Sequence, residues 1–112
     1  MSDREHLGEL ERIVLITVAR LGDGCYSKTL RQQIERRAGR SVTLGTLYVT
    51  LSRLEEKGCV ESWLGDPSPE RGGRAKRHYR LTGAGRETLQ RAREVWARLW
   101  EDLDLGTSGE RS

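Results

Sequence analysis

The chain has 112 residues, of which 35% are hydrophobic and 33% are charged, so it can form one small domain whose thin core would gain stability from a partner subunit. Its net charge of +3 is concentrated in residues 27–80, where twelve Lys and Arg stand against six Asp and Glu, as in a nucleic-acid-binding surface or an ordinary solvated basic face. No stretch has the pattern of a membrane span or signal peptide, and Cys25 and Cys59 have neither zinc-ligand nor disulfide-framework spacing, so we expect a reducing cytoplasm, no metal and no cofactor.

The N-terminal part of the chain predicts two helices. Apolar residues at helical spacing place the first over Leu7–Leu21, where Gly22 and Gly24 stop it. This helix is apolar on more than one face, so we expect one face to contact its own domain and another to contact a partner. The second helix is predicted over Ser27–Ala38 and is closed by Gly39.

A third helix, with Thr43 as its N-cap and Gly58 at its end, has two contrasting sides. Its apolar side consists of Leu44, Leu47, Leu51 and Leu54. Its opposite side carries hydrogen-bonding groups and positive charge on Thr46, Val49 and Arg53, with Thr50 and Lys57 toward one edge. Such a side fits a major groove, where Arg can bind guanine and Thr can contact thymine or phosphate, although a solvated helix face is the alternative. We expect DNA contacts from Thr43, Thr46, Tyr48, Thr50 and Arg53, with core packing as the alternative for Tyr48.

A basic hairpin follows this helix. Strands are predicted over Val60–Leu64 and Arg77–Leu81, joined by a Gly- and Pro-rich loop over Gly65–Ala75. The candidates for phosphate contacts are Arg71, Arg74, Lys76 and Arg77. Gly72 and Gly73 would allow the loop to approach DNA closely, and a flexible basic loop without fixed contacts is the alternative. A groove-binding helix followed by a basic hairpin is the layout of a winged helix-turn-helix that binds double-stranded DNA.

A last helix is predicted after Thr82, its N-cap, and carries a short heptad seam. The seam consists of Leu89, Ala92, Trp96, Leu99 and Leu103. We expect it to pair in a two-fold dimer with first-helix residues of the partner, namely Leu7, Leu10, Val14 and Leu21. The predicted organisation is a winged-helix domain over residues 7–81, a dimerisation helix over residues 82–103 and a disordered tail over residues 104–112.

Catalysis is not expected. His6 and His78 have no nucleophile, carboxylate pair or second metal ligand at useful spacing. Cys25 and Cys59 are interpreted as small core residues, although a thiolate near arginines could in principle sense oxidants.

Three motifs together resemble the PadR-like transcriptional regulators. They are Leu47-Tyr48, the run LSRLEEKG that ends at Gly58, and a basic wing leading into YRLTGAG, which ends at Gly85. The resemblance covers about residues 7–103. One departure is Cys25-Tyr26-Ser27, because many family members have a glycine beside the tyrosine at the start of the second helix.

The resemblance implies a mainly α fold with a small β-hairpin, in which a winged helix-turn-helix is followed by one C-terminal dimerisation helix, as in the smaller branch of the family. It implies a homodimeric repressor, often of a neighbouring gene, and favours a DNA-backbone contact for Tyr48. The wing PERGGRAKR is similar to that of members encoded beside transporter-type genes. Some relatives bind flat aromatic compounds between paired tryptophans, so Trp96 and Trp100 are candidates for an effector site as well as for the dimer core. A winged-helix module that binds RNA or an acidic protein is the alternative function.

Overall fold

The computed structural model describes residues 7–65 and 75–106 of the chain. Four helices and one hairpin follow each other as α1 Glu9–Leu21, α2 Ser27–Ala38, α3 Leu44–Glu56, β1 Val60–Leu64, β2 Arg77–Leu81 and α4 Gly83–Trp100. A single 3₁₀ turn over Gly22–Gly24 joins α1 to α2. All six predicted elements are present, although α1 begins at Glu9 and α4 ends at Trp100. None of the helices within the described ranges is long and apolar enough to cross a membrane.

The core lies between α1, α2, α3 and the hairpin. Its largest fully buried side chains are Val14, Leu15, Val18, Leu30, Ile34, Leu47, Leu51 and Leu54. Removing each such side chain from water stabilises the fold by about 1.5–3 kcal/mol before chain entropy is counted. Cys25 and Cys59 are also buried in this core, which confirms their interpretation as core residues. Burial raises the pKa of Cys25 to about 12, so its thiol stays protonated and unreactive near neutral pH.

Local signals in the sequence set the ends of α3. The Thr43 hydroxyl accepts a hydrogen bond from the Thr46 backbone N–H at 3.1 Å, as predicted for the N-cap. Gly58, with φ of +77°, turns the chain sharply from α3 into β1. Of the four leucines on the apolar side of α3, Leu47, Leu51 and Leu54 are buried, whereas Leu44 in the first turn is 41% exposed.

The hairpin is antiparallel, and its register pairs Val60 with Leu81 and Leu64 with Arg77. A third segment joins it, because Tyr26 forms an isolated bridge with His78 and the Tyr79 N–H donates to the Cys25 carbonyl at 3.0 Å. The residues before α2 therefore extend the small sheet and anchor the hairpin to the helical part of the domain.

The junction between the hairpin and α4 is closely packed. Thr82, confirmed as the N-cap of α4, accepts from the Gly85 N–H and donates its hydroxyl to the Gly58 carbonyl at 2.6 Å. Its own N–H donates to the Cys59 carbonyl at 3.0 Å. A Cβ atom at Gly85 would lie 2.2 Å from the Cys59 carbonyl oxygen. Only glycine therefore allows α4 to begin so close to the turn that ends α3.

Candidate nucleic-acid interface

The exposed side of α3 carries three of the residues predicted to face the major groove, in one row. Thr46, Val49 and Arg53 succeed each other at spacings of three and four residues, and all three are exposed. The Thr43 hydroxyl donates to the Thr46 hydroxyl at 2.9 Å, so the N-cap and the first turn of α3 are joined by a side-chain hydrogen bond. Gly45 is exposed and has open space around its Cα, which allows a ligand to approach the backbone there. We call the row of Thr46, Val49 and Arg53 the reading row.

Thr50 does not belong to this surface. It is only 5% exposed, and its hydroxyl donates to the Thr46 carbonyl oxygen at 2.8 Å within α3. Thr50 is one turn from Thr46 and lies at the inner edge of an open groove between α3 and the N-terminal end of α1, which Thr46, Val49 and Arg53 also line. The expected DNA contact of Thr50 is therefore corrected to a helix-internal hydrogen bond.

Tyr48 lies on the flank of α3 that faces the hairpin, and its side chain is exposed. It borders a crevice of about 340 Å³ whose other walls include Ser52, Arg77 and the buried Tyr79. The hydroxyl of Tyr48 is thus available beside an arginine of the hairpin. This position is compatible with a contact to the DNA backbone and excludes complete burial in the core.

Arg77 is connected to α3 by a polar relay that the sequence did not reveal. Its guanidinium donates to the Ser62 hydroxyl at 3.0 Å, and Ser62 donates to a Glu55 carboxylate oxygen at 2.8 Å. The relay depends on the register of the hairpin, which sets Ser62 opposite Tyr79, so spacing alone could not predict it. Arg77 remains exposed and retains donors that can face a phosphate.

Lys76 is held at the base of the wing loop. Its ammonium group lies 4.0 Å from the centroid of the Tyr26 ring, and its carbonyl accepts from the Gly65 N–H at 2.7 Å. A predicted phosphate contact is therefore placed beside the start of α2 in a half-buried position. Arg71 and Arg74, the other two predicted wing contacts, lie outside the described residues.

Aromatic rings cover the outer face of the hairpin. Trp63 stacks on His78 at 5.6 Å between centroids, and Tyr26 meets His78 edge to face at 5.8 Å. Arg80 lies over the Trp63 ring and pairs with the Glu61 carboxylate. These contacts fix the orientation of the hairpin relative to α2 and hence the position of Lys76 and Arg77.

An ion pair joins the opposite end of the interface to α1. Lys57 donates to a Glu11 carboxylate oxygen at 2.7 Å, and both side chains are largely buried. Burial by itself raises the pKa of Glu11, but the hydrogen bonds from Lys57 and from the Gly8 N–H outweigh it, so the pKa is lowered overall. Glu11 therefore remains ionised and holds the C-terminal end of α3 in place beside Arg53.

The predicted dimer residues fall into three groups: buried, half-buried and exposed. Leu7 and Val14 are buried inside the core of their own protomer, Val14 completely, so their expected contact with a partner is corrected. Periodicity could not distinguish the inner face of α1 from the outer one, because the helix is apolar on several sides. The half-buried residues are Leu10, Leu21, Leu89 and Ala92. The exposed ones are Trp96, Leu99 and Leu103, with Trp100 beside them.

Three helices followed by a two-stranded hairpin, with a polar row on the third helix and cations on the hairpin, define a winged-helix protein. The chain belongs to the transcriptional regulator PadR-like family, whose model matches residues 15–91. It is therefore a DNA-binding transcriptional regulator rather than a member of an enzyme family.

Individual relatives agree with this assignment. The chain is 34% identical over 104 residues to an uncharacterized protein of Lysinibacillus sphaericus, and the match covers 91% of each chain. It superimposes on the structure of a PadR-like transcription factor from Bacteroides fragilis with a TM-score of 0.71 and 25% identity, over 82% of this chain and 84% of that one. A PadR family regulator from Clostridium difficile R20291 shares the fold with a TM-score of 0.69 and 23% identity, over 82% and 91% of the two chains.

Proposed function

We propose that this protein is a homodimeric repressor that binds a pseudo-palindromic operator in double-stranded DNA. The observation that carries the proposal is the reading row of α3, an exposed stripe of Thr46, Val49 and Arg53 that begins at a hydrogen-bonded N-cap and lies next to a basic hairpin. In this interpretation α3 enters the major groove and reads bases, while Lys76, Arg77 and the wing bind phosphates.

The apolar end of α4 supports the dimer. Trp96, Leu99 and Trp100 are 48%, 66% and 52% exposed, although such residues are costly to leave in water. Leu89 already packs against the core, so α4 is attached to its own protomer by its first half and offers its second half to a partner. A two-fold dimer in which the seam of α4 contacts α1 of the partner would place two copies of α3 about 34–36 Å apart, one turn of DNA.

The regulated gene and the effector are further parts of the proposal. The wing sequence supports a neighbouring transporter-type gene as the target. Trp96 and Trp100 are exposed one helical turn apart, which supports a flat aromatic effector at the dimer interface. The Arg12 guanidinium, 5.8 Å from the centroid of Trp96, would border such a site.

A gel-shift experiment with the DNA upstream of the coding sequence tests the proposal. A repressor should form a discrete complex that survives an excess of random double-stranded DNA. The alternative, a module for RNA or for an acidic protein, predicts that the complex is lost equally to random DNA, to RNA or to an acidic polypeptide. Transcription from the same promoter should fall when the protein is added.

A further inference from the structure

Val49 is the most exposed large apolar residue of α3, at 52%, and it lies in the centre of the reading row between Thr46 and Arg53. A β-branched side chain favours helix formation less than most residues and gains nothing from packing when it is exposed. Valine therefore contributes little to the stability of the protomer at this position. The exposed half of its side chain is accessible to a binding partner.

The surroundings of Val49 indicate the size of that partner. Its neighbours along the row are the hydroxyl of Thr46 and the cation of Arg53, and Gly45 leaves the helix surface open on the N-terminal side. Leu10 of α1, which is half-buried, borders the same open groove, and the rest of the groove is lined by glycine and polar residues. An apolar surface of this size is too limited for a protein contact, which needs a larger buried apolar centre. It matches the size of a single methyl group. In the major groove the only apolar group on a standard base edge is the C5-methyl group of thymine.

We infer that Val49 is a specificity-determining residue that recognises thymine through its C5-methyl group, an inference that rests on the proposed binding of operator DNA by α3. Val49 and Arg53 are one turn apart, or roughly 6 Å along the helix, which corresponds to about two base-pair steps of DNA. The recognised thymine should therefore lie within about two base pairs of the base that Arg53 reads in each half-site.

Replacing thymine by deoxyuridine tests the inference without altering the protein, because it deletes only the C5-methyl group. An operator is first selected from random duplexes, and each conserved thymine is then replaced symmetrically in both half-sites. One thymine position should weaken binding by about fourfold per half-site, the effect of removing about 0.8 kcal/mol of methyl burial. The operator that carries deoxyuridine at this position should bind Val49→Ala almost as tightly as it binds the wild-type protein, because the two changes remove the same interaction.

Leu44→Ala is the matched control, since Leu44 is the exposed apolar residue in the first turn of α3. Its effect and that of deoxyuridine at this thymine should add independently. Additive effects of Val49→Ala and deoxyuridine, or no thymine position sensitive to the methyl group, would overturn the assignment to Val49 while leaving operator binding intact. Failure to select any operator would instead refute the proposed function, and the inference with it.

Discussion

Replacing Gly85 by alanine should displace the start of α4, because this residue lies against the turn that ends α3. The added Cβ would be 2.2 Å from the Cys59 carbonyl oxygen and 3.0 Å from a Leu81 methyl group, whereas ordinary contacts are 3.4–4 Å. The carbonyl oxygen belongs to the backbone and accepts from the Thr82 N–H, so it cannot move aside easily. Overpacking of this kind costs about 1–3 kcal/mol. The better helix propensity of alanine offsets at most about 1 kcal/mol of that cost.

Gly83→Ala provides the matched control. Gly83 is the first residue of the same helix, and a Cβ there would meet no atom within 4 Å. Urea unfolding followed by circular dichroism should show Gly83→Ala near wild-type stability and Gly85→Ala less stable by roughly 1–3 kcal/mol than the control. Equal stabilities for the two variants would mean that the junction adapts freely, and the argument that only glycine fits would be wrong.

Three further outcomes are expected. Arg53→Ala should weaken operator binding by roughly 1–3 kcal/mol and reduce base discrimination at one position of each half-site. Arg77→Ala should instead weaken binding to all duplexes alike. It should also lower the slope of log affinity against log salt concentration by about one for each phosphate that is no longer neutralised. Salt titrations on operator and random DNA distinguish the two, and identical behaviour of both variants would contradict the division of roles. Trp96→Ala should weaken the dimer by roughly 3–5 kcal/mol without altering the DNA-binding surface. Analytical sedimentation measures this loss, and a folded but monomeric wild-type protein would contradict the proposed dimer. Because the pKa of Glu11 is lowered in the fold, its ion pair with Lys57 stabilises the protein above the unfolded pKa near 4.5 and no longer does so as pH falls through the folded pKa. Glu11→Gln should therefore flatten the decrease of stability in acid, and an unchanged acid limb in urea titrations would speak against the pair.

Local patterns predicted the elements of this fold well. Both strands match their predicted bounds, because each is a five-residue run that is followed within two residues by a glycine. The caps Thr43 and Thr82 were predictable from their side-chain oxygens. These features depend on residues within one turn or one strand, and such short-range information is present in the sequence itself.

Contacts between distant segments were not predictable in the same way. Whether Thr50 faces solvent or α1 depends on how α1 packs on α3, and helical periodicity gives only its angle around the helix. The Arg77–Ser62–Glu55 relay needs the strand register, and the need for Gly85 depends on the approach of α4 to Cys59. The reading row was found because an exposed polar side contrasts with an apolar one within a single helix.

The hydrogen bonds from Thr82 to the Gly58 and Cys59 carbonyls attach the start of α4 to the end of α3, so α4 can tilt only about this point. α4 extends over 18 residues from this point, and at 1.5 Å per residue its far end lies roughly 27 Å away, so a tilt of about 10° displaces that end by roughly 5 Å. Conversely, a displacement of the far end of α4 changes the position of α3. In the proposed dimer the far end of each α4 is held against the partner subunit, so a small rearrangement of that contact would rotate the two copies of α3 relative to each other. A ligand bound between the exposed tryptophans would thereby change the distance between the two α3 helices. Operator affinity would then depend on ligand binding at a site far from the DNA.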